Sequence, residues 1–175
     1  MAHLTDPVDA ESGSPFVEAE GGLSHPSPRH ARAFLGLLRS AEQLDRVLDG
    51  ELRAEHGLTL RQFEVLLHLA VFAPRGHLRI GELVAQAPLS QSRVSRLVAE
   101  LESRGLVRRT PAEDDSRAVQ VSITDAGRQR LREAQPTHHQ GLDRWLFSRL
   151  TGREVIELGR ITGKLLGGVA DGDVP

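Results

Sequence analysis

Six residues in one short stretch concentrate the polar chemistry of this chain: Ser90, Gln91, Ser92, Arg93, Ser95 and Arg96. Between and beyond them, Val94, Leu97, Val98 and Leu101 recur at helical spacing. A helix with that pattern anchors one face in a core and offers the other to a partner. Small hydroxyl side chains let such a face enter a groove closely. A Gln amide can pair with the edge of adenine, and an Arg guanidinium with that of guanine. Downstream, Arg108 and Arg109 are adjacent in a segment of strand character, so they point to opposite faces and one of them is placed to meet a phosphate. Arg117 follows on a polar link, where it can enter a minor groove. Asp115, two residues earlier, is either a simple turn former or a carboxylate that pairs with an Arg and orders that link.

Catalytic chemistry is not indicated. The 175 residues contain no cysteine, which excludes disulfides, thiolate metal sites and thiol redox sensing. Neither a phosphate-binding Gly loop, a G-x-S-x-G elbow nor an H-E-x-x-H pair occurs. No catalytic residue, cofactor or metal is expected. His138 and His139 are adjacent, and on a helix adjacent residues do not share a face, so a solvated or interfacial pair is the expectation.

A net charge of −2 at first argues against a polyanionic partner. The distribution reverses that reading. Residues 1–28 hold Asp6, Asp9, Glu11, Glu18 and Glu20 and no Lys or Arg, a local −5, so the remainder of the chain is +3. From Arg75 to Thr110 seven Arg oppose three Glu. A local basic face governs phosphate binding more than the total does.

These residues need elements to position them. Residues 1–27, rich in Pro, Gly, Ser and acids, are expected to be a disordered acidic arm. They lack the basic start and apolar run of a signal peptide, and no apolar run is long enough to span a membrane, so the cytoplasm is the expected compartment. From Pro28, the residues Ala31, Phe34, Leu35, Leu38, Ala41, Leu44, Leu48 and Leu52 form one helical stripe, which Gly57 ends. Thr59 and Gln62 have the spacing of a capping box before a second helix carrying Phe63, Leu66, Leu67 and Ala70. A short helix follows over about Ile80–Ala87. Pro88 stops it, and Ser90 is placed to cap the polar helix that runs to Arg104. Gly105 occupies a left-handed cap position. Then the period changes to two. Leu106–Thr110 and Val119–Ile123 read as the strands of a hairpin. Helix returns after Thr124 and should kink at Pro136, and Thr151 with Glu154 caps a last helix to about Val169.

Helix, short helix, polar amphipathic helix and hairpin, in that order, make a winged helix-turn-helix. The fold class is therefore mainly α with a small β-hairpin wing. The expected division is the arm at 1–27, an N-terminal dimerisation helix at 28–57, the winged helix-turn-helix at 58–124, C-terminal dimerisation helices at 125–170 and a tail at 171–175. The long first stripe and Leu142, Leu146, Leu150, Ile156, Ile161 and Leu165 are hard to bury against one small winged domain. Two-fold dimerisation is the common way to cover such surface.

In these segments the chain resembles the MarR family of bacterial transcription regulators. The resemblance rests on Leu58–Phe63 (LTLRQF), Gly81–Ala85 (GELVA), Leu89–Val98 (LSQSRVSRLV), Leu101–Arg109 (LESRGLVRR), Asp115–Ala118 (DSRA) and Val121–Gly127 (VSITDAG). Ser116 departs from the family, which often carries a second Arg there. The resemblance implies a homodimer on a pseudo-palindromic double-stranded operator. It also implies repression relieved by a small ligand, by family habit an aromatic or phenolic one, bound between the dimerisation and DNA-binding regions. His68, beside Phe72, is either a satisfied histidine of the core or pocket wall or a ligand of that effector, and Arg39 is either an anion receptor or a surface residue. A protein-interaction module of the same fold, without DNA binding, is the alternative that the acidic arm keeps open.

Overall fold

The computed structural model describes residues 14–73, 76–86, 90–112 and 119–167. The chain falls into two units, residues 1–43 and 44–175.

In the first unit, β1 (Phe16–Glu18) pairs antiparallel with β2 (Ser24–Pro26), with Phe16 opposite Pro26 and Glu18 opposite Ser24. The expectation of disorder over residues 1–27 therefore fails for this stretch; residues 1–13 lie outside the described residues. Composition missed the hairpin because the pairing is made by backbone groups. Gly21 and Gly22 adopt positive φ and close the turn, and the Ala19 N–H donates to the Leu23 carbonyl at 2.7 Å. Helix α1 (Pro28–His56) then begins with proline at its first position, where no N–H partner is needed.

The second unit holds the core. The last turns of α1 contribute Leu48 and Leu52. Gly57, at φ +62°, ends α1, and its N–H donates to the Arg53 carbonyl. Helix α2 (Leu60–Val71) starts with the expected capping box: Thr59 accepts from the Gln62 N–H, and Gln62 accepts from the Thr59 N–H. Phe63, Leu66 and Leu69 of α2 are buried. Each such side chain contributes about 1.5–3 kcal/mol by leaving water.

Strand β3 (His77–Arg79) leads into α3 (Ile80–Gln86), then α4 (Gln91–Ser103), β4 (Val107–Pro111) and β5 (Val119–Ile123). The sheet order is β3-β5-β4, all antiparallel. The third strand was not expected. Three residues with one apolar side chain carry no periodic signal, and the partners of β3 lie more than forty residues away. Its central Leu78 is buried opposite Val121.

Helix α5 (Asp125–Trp145) continues through Pro136, a single-turn 3-10 helix spans Phe147–Arg149, and α6 (Gly152–Leu165) follows the expected Thr151–Glu154 capping box. On α5, the His138 ring stacks on Phe63 with centroids 4.5 Å apart, and its Nδ1 is buried without a hydrogen-bond partner. Burial disfavours the imidazolium, and neighbouring His139 adds like charge, so His138 sits below the ordinary histidine value of 6.5. The unfolded chain then binds the extra proton first. The stability contributed by neutral His138 is whole above about pH 6.5 and is lost as pH falls through the lower folded value. A His138→Phe variant, which keeps the stacked ring, should lose less melting temperature than the parent between about pH 7.5 and about pH 5. Parallel slopes in thermal melts would remove His138 from the acid response.

Candidate nucleic-acid interface

Helix α4 is seated by Val94, Val98 and Leu101, all fully buried, while Leu97 is half-buried at the margin. Its other face exposes Gln91, Ser92, Arg93 and Arg96, with Ser95 half-buried. The expected division of labour along this helix is therefore present, and its first two turns present the polar set together. Ser90 differs from expectation. It stands at the N-cap with extended backbone, but its side chain makes no capping hydrogen bond; its Oγ lies 3.1 Å from Ser92 Oγ. The Ser90 hydroxyl thus pairs with a neighbouring hydroxyl instead of with the helix backbone.

Helix α4 ends in a tight left-handed turn. Gly105 has φ +70°, its N–H donates to the Glu102 carbonyl at 2.8 Å, and the Leu106 N–H reaches back to the Leu101 carbonyl at 2.9 Å. Those two bonds satisfy the last carbonyls and turn the chain directly into β4.

On β4, Arg108 lies opposite Ser122 and Arg109 opposite Val121. The two arginines have different fates. Glu102 of α4 accepts the Arg109 backbone N–H at 3.0 Å and its Nε at 2.6 Å, so Arg109 is spent on tying the wing to α4. Those hydrogen bonds hold the Glu102 carboxyl below its ordinary range. Arg108 is exposed and forms no ion pair among the described residues, as is true of Arg93 and Arg96. Of the adjacent pair, Arg108 is thus the one without an ion-pair partner among the described residues. Asp115 and Arg117 lie outside the described residues.

An open cleft of about 420 Å³ adjoins α4, lined by Arg79, Ile80, Gly81, Glu82, Gln91, Ser95 and Val119. Glu82 accepts the Arg79 N–H at 2.6 Å and fixes the junction of β3 and α3. Arg79 is a basic residue of this surface that helical periodicity could not single out, because it sits on the unexpected strand. The charge bias from Arg75 to Thr110 was the available signal.

His68 and Phe72 are half-buried on α2 and its C-terminal cap, with ring centroids 5.6 Å apart, and His68 Nδ1 donates to the Glu64 carbonyl at 2.8 Å. Arg39 is exposed on α1 in the first unit.

A MarR family model matches residues 56–118. The HTH-type transcriptional repressor MdtR of Bacillus subtilis is 30% identical over 111 residues, covering 63% of this chain and 69% of MdtR. Sco3205, a MarR family transcriptional regulator from Streptomyces coelicolor solved in complex with DNA, superposes with a TM-score of 0.78 at 30% identity, covering 85% of this chain and 93% of that one. The chain belongs to the MarR family. The transcriptional repressor MprA of Escherichia coli is 35% identical over 85 residues, and the chain spans about half of its length, 48%. For this MarR-family chain the helices α2, α3 and α4 with the small antiparallel sheet make the winged-helix fold. Among the described residues, no helix is long and apolar enough to cross a membrane.

Proposed function

We propose that the chain is a dimeric, sequence-selective DNA-binding regulator that acts as a repressor and is released by a small aromatic or phenolic molecule. The observation that carries DNA binding is α4 itself: an exposed Ser, Gln and Arg face at its N-terminal half, backed by Val94, Val98 and Leu101 in the core. Recognition helices read base edges from their N-terminal turns. In this reading Ser90, Gln91, Ser92, Arg93, Ser95 and Arg96 contact the major groove, Arg108 and Arg117 meet the backbone and minor groove, and Asp115 orders the wing. The DNA complex of Sco3205 and the repressor activity named for MdtR and MprA support it.

Dimerisation rests on apolar surface that one chain leaves in water. On α6, Ile156 and Leu165 are 76% and 65% exposed; on α1, Phe34, Leu35 and Leu38 are exposed as well. Covering such residues with a second copy favours association, and a two-fold dimer matches a pseudo-palindrome. In this reading the effector binds near His68 and Phe72, whose half-buried rings offer an apolar wall.

The test is binding of the full chain to duplexes selected from a random-sequence pool, followed over a range of salt. Selective, salt-sensitive binding is expected. Recovery of no preferred sequence would end the DNA-binding reading. For the dimer, sedimentation of an Ile156→Asp variant should show a shift toward monomer; an unchanged sedimentation coefficient would exclude α6 from the interface.

A further inference from the structure

The sequence assigns Gln62 a local task, the third position of a helix capping box. The fold gives the same side chain three partners on two helices. Gln62 Oε1 accepts the Thr59 N–H at 3.1 Å and also Arg104 Nη1 at 3.2 Å, while its Nε2 donates to Glu100 Oε2 at 3.1 Å. Glu100 belongs to α4 and Arg104 is its C-cap. Gln62 is only 6% exposed, one of few buried polar side chains among the described residues. The first turn of α2 is in turn tied to α1. Asp49 accepts the Leu60 N–H at 2.8 Å, and Arg61 bridges Asp45 and Glu64.

We propose that Gln62 is a positioning residue for DNA recognition: it sets the angle at which α4 presents Gln91, Arg93 and Arg96. This rests on the DNA-binding reading above. Val94, Val98 and Leu101 hold α4 in the core, but apolar contacts are non-directional and tolerate rotation and sliding. The amide bonds are directional, and they act on the C-terminal half of the helix. Seven residues separate Glu100 from Arg93, about 10 Å of helix, so a tilt of about 10° at the grip moves the reading side chains by about 2 Å. A base-edge hydrogen bond does not survive that displacement.

The partners dictate an amide. Ionised Glu100 only accepts, so it needs a donor; the Thr59 N–H and Arg104 only donate, so they need an acceptor. Glutamate is otherwise as good as glutamine at this position of a capping box. Here it would face Glu100 with like charge. The requirement for Gln is therefore set by α4, not by the cap.

The experiment uses Gln62→Glu, Glu100→Gln and the double variant of the full chain at about pH 8, well above the ordinary carboxylate range. Affinity is measured for a duplex selected by the wild-type chain and for a random duplex of equal length. Gln62→Glu should bind the selected duplex about tenfold or more weakly, while random-duplex affinity stays level. The double variant restores the donor–acceptor match with the roles reversed, and should recover to within about threefold. Loss of both affinities in step with the folded fraction would make Gln62 merely structural, and a double variant no better than Gln62→Glu would overturn the grip. Amide hydrogen exchange along α4 supplies a readout without DNA: faster in Gln62→Glu and restored in the double variant. If the wild-type chain selects no duplex, the DNA reading fails by itself, and exchange rates still decide whether Gln62 holds α4.

Discussion

Replacing Gly127 by alanine should destabilise the chain by about 3 kcal/mol, the upper end for inserting a methyl group where there is no room. A Cβ at this position would lie 2.1 Å from the Leu106 carbonyl oxygen and 2.8 Å from Ile123 Cγ1. The first of these is backbone, and it cannot yield cheaply. The Leu106 oxygen accepts the Thr124 N–H at 3.1 Å, and Leu106 is locked by its own N–H bond to Leu101. Thr124 completes the arrangement by donating its hydroxyl to the Gly105 carbonyl at 2.7 Å and accepting the Gly127 N–H at 3.0 Å. The start of α5 is thus pressed onto the turn that joins α4 to β4. A melting temperature lower by about 10 °C is expected. Gly50→Ala is the control: it lies on α1 with open space around the added carbon, and alanine is the better helix former by about 1 kcal/mol. If both variants melt with the parent, the close approach of α5 to Leu106 is wrong.

The second large effect is expected at Arg93. Arg93→Ala should cost between about tenfold and about a hundredfold in affinity for a selected duplex, as loss of a bidentate base contact does. Affinity for random DNA should change far less. Arg93 is exposed in the first turn of α4 and forms no ion pair among the described residues. Arg108→Ala makes the contrast. A phosphate contact is lost evenly from all sequences, and the salt slope falls by about one. Binding isotherms across a salt series separate the two patterns. Equal losses on selected and random duplexes for Arg93→Ala would move Arg93 from base reading to backbone contact.

Local patterns were legible because their physics is local. The capping boxes at Thr59–Gln62 and Thr151–Glu154 join groups three residues apart, and both are formed. The apolar positions of α4 and the left-handed Gly105 were equally readable, since a helical period and a positive φ are properties of short segments. The features that escaped depend on distant partners or on backbone alone. Strand β3 exists because β5 offers it an edge, and β1 with β2 because glycines close a backbone-paired turn. Ser90 looked like a cap, yet Ser92 competes for its hydroxyl.

By itself, the sequence determined which helix could face a nucleic acid, the polarity of its two faces and the order of elements around it, because periodicity and charge bias are written residue by residue. It could not separate Arg108 from Arg109, nor show that Gln62 serves two helices. Those outcomes were decided where Glu102 meets Arg109 and where Glu100 and Arg104 meet Gln62. Which donor reaches which acceptor depends on distances between elements, and only tertiary packing sets them.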